Sequence, residues 1–310
     1  MNLVLLAGGV GGAKLAHGLQ AHRGSDLTVI VNTGDDFERH GLLVCPDHDT
    51  VMYTLAGIDN REWGWGIAGE TFAAAGMLDR YGEETWFRLG DRDLATHIVR
   101  TAALRAGDRL TVVARRLQVG LEVGPIILPM TDEPLRTEVR TGAGWIEFQD
   151  YFVRQQQAPD VLEVRFRGTA TARPTGEVLA ALADADRIVV APSNPLVSIG
   201  PILAVPGLRD AIQQARGRGV TVTAVSGIIG GRALKGPADR MLATLGHEVS
   251  ALGVARLYED WVDRFVLDEV DAELAPAVEA LGLAVHVTDT IMGDDAGRAR
   301  LAGELLSLPL

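Results

Sequence analysis

The chain has 310 residues, of which 47% are hydrophobic and 23% charged, proportions that suit a folded protein with a substantial core. Its formal net charge of −12 disfavours a broad nucleic-acid-binding surface, which would need a basic face. Cys45 is the single cysteine and excludes an intrachain disulfide. There is no bilayer-length apolar run and no basic signal-peptide region, so we predict a cytoplasmic protein without a membrane partner.

The chain begins with a β-α-β pattern. Apolar runs predict buried strands at residues 2–6 and 27–32, and a glycine turn and a helix at about residues 13–22 separate them. Asp-rich polar segments and a mostly helical stretch follow, up to about residue 107. Residues 109–170 then predict antiparallel strands, in LTVVARRLQV, TEVRT, WIEFQDYFV and VLEVRFRG.

Helices and strands alternate again after Pro174. EVLAALADA and LRDAIQQARGRG are predicted helices, and RIVVAP, VTVTAVSG, RFVLD and AVHVTD are predicted strands. Strands separated by helices form parallel sheets with right-handed crossovers. We therefore predict an α/β fold, a Rossmann-like three-layer parallel sheet. One domain would span residues 1–310, with an inserted helical and antiparallel β region at roughly residues 50–170.

The glycine turn after the first predicted strand is a candidate phosphate site, because backbone N–H groups at a helix N-terminus favour an anion. The turn matches neither G-x-G-x-x-G nor the P-loop pattern, and the alternative is a tight βα turn that requires small residues. The only two lysines, Lys14 and Lys235, both lie in glycine-rich stretches. The candidate phosphate-binding residues here are Gly8, Gly9, Gly11, Gly12 and Lys14.

An Asp-rich region follows the second predicted strand. It contains Asp35, Asp36, Asp47 and Asp49. Carboxylates beside a phosphate site normally require a divalent cation, and Mg²⁺ prefers oxygen ligands. The alternatives are a solvated acidic loop and, for Asp49, a helix cap.

Three further segments carry polar residues. Arg88 lies in FRLGDRDLATH, whose mixed charge by itself favours a salt-bridged surface turn. Ser193 and Asn194 stand between two prolines after a buried strand, where a ligand contact and a plain turn are both possible. SGIIGGRALKGPADRML, with Arg232 and Lys235, is a second candidate anion site. The histidines show no spacing typical of a zinc site.

These segments together resemble the 2-phospho-L-lactate transferase family of coenzyme F(420) biosynthesis over nearly the whole chain. The matching blocks are LLAGGVGGAKLAHGL, VNTGDD, PDHDTVMYTLAG, LGDRDLATHI, GPIILPMTDEP, WIEFQDYFV, APSNPLVSIGPIL, VSGIIGG, KGPADRML, HEVSALGVARLYEDWVDRFVLDE and DTIM. The resemblance implies a Mg²⁺-dependent homodimeric enzyme. It would transfer a phosphorylated three-carbon acid from a guanosine diphosphate-linked donor to the ribityl hydroxyl of the deazariboflavin Fo, releasing GMP.

The resemblance also implies roles for individual residues. Asp49 and Arg88 would bind Fo and act in catalysis. Within the Asp-rich region, our candidate metal ligands are Asp49 and Asp36. The glycine turn with Lys14, and the turn at Ser193 and Asn194, would hold the guanosine diphosphate. The transferred acid stays open between 2-phospholactate, phosphoenolpyruvate and phosphoglycerate. The main alternative is a non-enzymatic sugar-nucleotide-binding regulator of the same superfamily, whereas Asn32 and the failed fingerprint disfavour an NAD-dependent dehydrogenase.

Overall fold

The computed structural model describes residues 1–309, in which fourteen strands and twelve helices form. The strands are β1 (Leu3–Ala7), β2 (Leu27–Val31), β3 (Phe37–Arg39), β4 (Leu42–Val44), β5 (Ile126–Pro129), β6 (Arg136–Thr141), β7 (Gly144–Glu147), β8 (Glu163–Arg167), β9 (Arg187–Val190), β10 (Thr221–Val225), β11 (Ile228–Ile229), β12 (Arg232–Ala233), β13 (Arg264–Asp268) and β14 (Ala284–Thr288). The helices are α1 (Gly9–Arg23), α2 (Pro46–Leu55), α3 (Ala73–Arg80), α4 (Asp91–Arg105), α5 (Leu110–Gly120), α6 (Gly176–Ala183), α7 (Gly200–Ala204), α8 (Leu208–Gly217), α9 (Ala238–Thr244), α10 (Ala251–Tyr258), α11 (Ala275–Glu279) and α12 (Asp295–Ser307). Short 3₁₀ segments lie at Gly24–Asp26 and Glu269–Leu274, and π-helical turns at Asp150–Arg154 and Pro195–Ile199.

Seven strands form one parallel sheet in the order β14-β13-β10-β9-β1-β2-β5. In the centre of the sheet, Leu3 of β1 pairs with Leu27 of β2 on one side and with Arg187 of β9 on the other. All five residues of β1 are buried, as expected for a strand covered on both faces. The predicted β-α-β opening and the parallel sheet are confirmed.

Helices cover both faces of this sheet, which makes three layers. Successive side chains of a strand point to opposite faces. Leu3 and Leu5 accordingly join the hydrophobic cluster that contains residues of α1, α2 and α12. Val4 and Leu6 join the cluster that contains residues of α6, α7, α8 and α10. The three-layer α/β fold is confirmed.

The inserted region contains α3, α4 and α5 and a three-stranded antiparallel sheet in the order β7-β6-β8. The predicted strands in TEVRT and VLEVRFRG are confirmed. The strand prediction for LTVVARRLQV is wrong, because this segment is α5. Its apolar residues Leu110, Val113, Ala114 and Leu117 recur at three- and four-residue spacing, which is helical. Asp132 accepts a hydrogen bond from the Thr111 N–H at 2.7 Å, in the first turn of this helix.

Two element boundaries also differ from prediction. α1 begins at Gly9, so the glycines form the first helical turn instead of preceding it. WIEFQDYFV is a strand only as far as Glu147, after which Asp150–Arg154 forms a π-helical turn. The predicted domain extends to Leu310, which lies outside the described residues. Within residues 1–309 no single helix is long and apolar enough to cross a membrane, and only the bent pair Pro195–Ala204 and Leu208–Gly217 passes that test together.

Candidate functional site

A cavity of about 570 Å³ lies where β1, β2 and β9 end. Residues that follow each of these strands line it: Gly8 and Gly9 after β1, Asp35 after β2, and Ser193 and Asn194 after β9. Ligands of open parallel sheets bind outside the carboxyl ends of the strands, and the cavity is in this place. We call it the main cavity.

The predicted glycine turn forms one side of the main cavity. Gly8, Gly9 and Gly11 line it, whereas Gly12 does not and packs against Ala7. A Cβ atom on Gly11 would lie 2.4 Å from the carbonyl oxygen of Pro192, so only glycine allows this approach. Because α1 begins at Gly9, the first N–H groups of this segment have no partner within the helix. The Gly9 N–H donates to Asp47 and the Gly8 N–H donates to the Ser193 hydroxyl at 3.3 Å.

The Ser193–Asn194 turn is joined to the glycine turn. The Ser193 hydroxyl donates to the carbonyl oxygen of Gly8 at 2.7 Å. The side-chain oxygen of Asn194 accepts from the N–H groups of Leu196 and Val197 at 2.9 and 3.3 Å and caps the next helical turn. Both residues line the main cavity and hold its backbone in place.

Arg88 lines the main cavity, and its guanidinium lies 4.2 Å from the centre of the Phe72 ring. Within residues 1–309 Arg88 forms no salt bridge, so the salt-bridged turn expected from the charge pattern is not found around it. Asp91 instead accepts hydrogen bonds from the N–H groups of Ala73 and Ala74 at 3.0 Å. Arg88 therefore presents a cation stacked on an aromatic ring at the wall of the cavity.

Aromatic side chains form much of the remaining wall. Trp63 and Trp65 are about half-exposed, and their ring centres are 5.3 Å apart. Phe148 and Phe152 stack with ring centres 5.6 Å apart at an interplanar angle of 9°. Such surfaces suit a flat conjugated ring. The aromatic residues lining the cavity are Trp63, Trp65, Trp86, Phe87, Phe148 and Phe152.

Asp35 and Asp47 bring two buried carboxylates to the main cavity. The Asn32 amide donates to Asp47 at 2.9 Å. Burial raises the pKa of Asp47 to about 6, against hydrogen bonds from Asn32 and the Gly9 N–H. Burial, and then the negative charge of Asp47, raise the pKa of Asp35 well above its usual value. One Asp35 oxygen has no hydrogen-bond partner within residues 1–309. A nearby positive charge would stabilise the ionised form of both carboxylates.

Asp49 does not line the main cavity. Both its oxygens accept hydrogen bonds from Arg100, one at 3.0 Å. Burial is the largest effect and would raise the pKa of Asp49. The Arg100 charge, the His48 hydrogen bond and the His97 and His48 charges together outweigh it, and the pKa lies well below its usual range. His97 lies 3.7 Å from Asp49 and 3.2 Å from Asp93. Asp49, Asp93 and His97 are close enough together to hold a divalent metal ion.

Asp36 is buried outside this group of three and outside the lining of the main cavity. Burial raises the pKa of Asp36 to about 7, although the charges of Arg136 and Arg100 oppose the shift. The roles of Asp36 and Asp49 as metal ligands stay predictions.

The comparisons with known proteins agree with the resemblance found in the sequence. A model of the family described as 2-phospho-L-lactate transferase CofD matches residues 3–292. The chain belongs to this family. It is 44% identical over 316 residues to a Kitasatospora aureofaciens protein named phosphoenolpyruvate transferase, with 99% of this chain and 98% of that protein covered. It is 39% identical over 308 residues to a Methanosarcina acetivorans protein named 2-phospho-L-lactate transferase, with 99% and 98% covered.

A solved structure supports the fold. The crystal structure of a UPF0052 family member from Bacillus halodurans has a TM-score of 0.66 and covers 99% of both chains at 14% identity. At this identity the likeness concerns the fold alone.

The sequence analysis did not identify three buried residues around Asp49 as site residues: Asp93, His97 and Arg100. Asp93 and His97 are one helical turn apart on α4, and Arg100 follows on the same side. The four-residue spacing of Asp93 and His97 was a usable signal, because such residues share a helix face. The approach of α2 to α4 that brings Asp49 to them had no local signal. Lys14 was placed with the glycine turn but lines a separate, smaller cavity.

Proposed function

We propose that this chain transfers a phosphorylated three-carbon acid from a guanosine diphosphate-linked donor to the ribityl hydroxyl of the deazariboflavin Fo, releasing GMP, in coenzyme F(420) biosynthesis. The observation that carries the proposal is the main cavity, which combines aromatic walls, Arg88 and a helix N-terminus of glycines. An aromatic wall suits a deazaflavin ring, and the N-terminus of α1 suits a diphosphate. Family membership supports the reaction class.

In this reaction the ribityl hydroxyl oxygen attacks the phosphorus that carries the three-carbon acid. A new P–O bond forms between the ribityl oxygen and this phosphorus, the P–O bond to GMP breaks with its electron pair going to the GMP oxygen, and the hydroxyl proton passes to water. Such transfers depend on alignment and charge compensation more than on a covalent intermediate. The N–H group of Gly11 at the N-terminus of α1 would bind the diphosphate, and the Arg88 guanidinium would compensate negative charge.

A divalent cation belongs to this proposal, and we take it to be Mg²⁺. Two groups of side chains could hold a divalent cation, and they differ in ligand atoms and in charge. Asp35 and Asp47 offer only oxygen atoms, face the main cavity and have raised pKa values. The group of Asp49, Asp93 and His97 includes an imidazole, and Arg100 already neutralises Asp49. Because Mg²⁺ prefers oxygen ligands, we place it at Asp35 and Asp47, where it would neutralise phosphate charge.

Phosphoenolpyruvate is the acid we favour among the three-carbon candidates. The chain is 44% identical to relatives named phosphoenolpyruvate transferase and 39% identical to those of Methanosarcina acetivorans and mazei named 2-phospho-L-lactate transferase. The two acids differ by one unsaturation. Steady-state turnover with each guanosine diphosphate-linked donor separates them.

The deciding experiment is a fluorescence titration of the purified protein with Fo, with and without Mg²⁺ and GDP. We expect saturable binding that Arg88→Met weakens about two- to fivefold, since Arg88 is exposed and a cation stacked on a ring at an exposed site contributes about 0.5–1 kcal/mol. Arg80→Met is the matched control, because Arg80 is exposed on α3 outside the main cavity. Absence of Fo binding together with tight binding of UDP-N-acetylglucosamine would replace the transferase by a sugar-nucleotide-binding regulator.

The family resemblance also leads us to propose one domain over residues 1–310, a homodimer and a cytoplasmic location. Light scattering after size-exclusion chromatography tests the dimer, since a mass of one chain at working concentration contradicts it.

A further inference from the structure

A small cavity of about 50 Å³ adjoins the main cavity, and we call it the side cavity. The two share Val10, Thr50, Gly64, Trp65 and Lys235 in their linings. Four basic side chains and one carboxylate line the side cavity, in a chain whose formal net charge is −12. The basic residues are Lys14, Arg61, Lys235 and Arg298, and the acidic one is Asp59.

Arg298 is the buried member of this set. Only 5% of the residue is exposed, and within residues 1–309 its Nε and Nη1 atoms have no hydrogen-bond partner. Asp295 lies 3.4 Å from Nη1 without a hydrogen bond. A Cβ atom on Gly18 would lie 2.1 Å from the Arg298 carbonyl oxygen, so α1 and α12 meet closely here. A buried guanidinium with free donors at a cavity wall calls for an anionic partner.

Lys14 and Lys235 form no salt bridge within residues 1–309, and Asp59 is the one carboxylate among the described residues that line the side cavity. The pKa of Lys14 is lowered, first by burial and then by the charges of Arg298 and Lys235. The Lys235 ammonium reaches the backbone of Gly64, where an added Cβ would lie 2.4 Å from Nζ. Arg61, by contrast, is paired with Asp295 at 2.9 Å. Three cations repelling one another around one small space are stabilised when an anion enters it.

We propose that the side cavity binds a compact anion, and specifically the carboxylate of the three-carbon acid on the donor. This inference rests on the proposed function. A water needs roughly 10–15 Å³ of such volume, so the side cavity has room for a carboxylate or one phosphate group but not for a nucleoside.

The nucleotide phosphates have a separate candidate site at the glycine turn, outside the side cavity. Gly8, Gly9 and Gly11 line the main cavity and are absent from the lining of the side cavity. Arg298 is suited to carboxylate recognition because its planar guanidinium donates two parallel hydrogen bonds. The carboxylate would thus be held apart from the diphosphate, and this fixes which end of the donor faces Fo.

Two binding measurements test the inference and separate carboxylate from nucleotide phosphate. Trp65 lines both cavities, so tryptophan fluorescence reports titrations with phosphoenolpyruvate in the presence of GMP, and with GDP alone. We expect Arg298→Met to weaken phosphoenolpyruvate binding about tenfold or more and to leave GDP and Fo binding within about twofold. Lys14→Met is the second variant, because Lys14 is only partly buried and its removal relieves repulsion. Arg300→Gln on the same helix is the control, since Arg300 lies outside both linings and pairs with Asp289.

The outcomes distinguish a carboxylate site in the side cavity from a nucleotide-phosphate site. An equal loss of GDP binding would assign the side cavity to nucleotide phosphate and overturn the proposal. Unchanged phosphoenolpyruvate binding in both variants, or none by the wild-type protein, would also overturn it. Absence of Fo binding by the wild-type protein, with the anion results as expected, would refute the transfer to Fo and leave the carboxylate site standing.

Discussion

The guanidinium of Arg100 holds both carboxylate oxygens of Asp49, in a pair that is nearly closed to solvent. α2 supplies the carboxylate and α4 the guanidinium, so this pair ties two helices of the site region together. Asp49 is also the residue for which the family resemblance predicts contact with Fo. Asp49 could therefore stabilise the fold through Arg100, contact Fo, or do both, and separate measurements distinguish these roles.

The first prediction concerns this pair. Asp49→Asn leaves the buried Arg100 charge without its partner, and we expect the free energy of unfolding to fall by about 3–5 kcal/mol. The paired replacement Asp49→Leu with Arg100→Met should recover part of this loss, because well-packed apolar side chains can replace a buried ion pair. Urea denaturation of the wild-type protein, Asp49→Asn and the double variant measures these changes in the free energy of unfolding. A stable Asp49→Asn protein that no longer binds Fo would instead support the direct contact predicted from the sequence.

The second prediction concerns the metal. Asp47→Asn removes one of the two carboxylates facing the main cavity, and we expect it to weaken Mn²⁺ binding about tenfold or more, with Mn²⁺ as the paramagnetic substitute for Mg²⁺. Asp36→Asn serves as the matched variant, because Asp36 is equally buried but outside the cavity lining. Electron paramagnetic resonance of free Mn²⁺ gives both affinities. Loss in Asp36→Asn with retention in Asp47→Asn would restore the metal ligands predicted from the sequence.

The sequence predicts the main sheet well because each strand is a local apolar run between turn residues. β1, β2, β9 and β10 are all of this kind, and their carboxyl ends bring the glycine turn and the Ser193–Asn194 turn together. The error at Leu110–Gly120 has a local cause. Its valines favour a strand, while the three- and four-residue spacing that buries it is helical.

The charged site was harder to predict from the sequence, because its geometry depends on long-range packing. Asp49 and Arg100 are 51 positions apart, and only the folded contact of α2 with α4 selects this partner. Arg88 shows the converse case. Its neighbours suggested a salt-bridged turn, but Asp91 is used to cap α3 and leaves the guanidinium on Phe72.

The third prediction is a pH dependence of stability. Burial raises the pKa of Asp36 to about 7, so the folded protein keeps a proton that the unfolded chain releases near pH 4. The folded state binds more protons across this interval, and its stability therefore falls as the pH rises from about 4 to about 7. Asp36→Asn imitates the protonated acid and should raise the free energy of unfolding by roughly 2–4 kcal/mol above neutral pH. It should have little effect below about pH 4. Thermal unfolding of both proteins over this range checks it, and a parallel pH profile would contradict it.

The fourth prediction compares two helical glycines. A Cβ on Gly11 would meet the backbone oxygen of Pro192 at 2.4 Å, whereas a Cβ on Gly76 of α3 meets nothing within 4 Å. Gly11→Ala must push the first turn of α1 away from the turn after β9. We expect a loss of about 1–3 kcal/mol in unfolding free energy and weaker GDP binding. Gly76→Ala should gain up to about 1 kcal/mol, because alanine loses less backbone entropy in a helix. Urea denaturation and GDP titration measure both variants. If Gly11→Ala binds GDP as tightly as Gly76→Ala does, the close contact of the two turns does not shape the phosphate site.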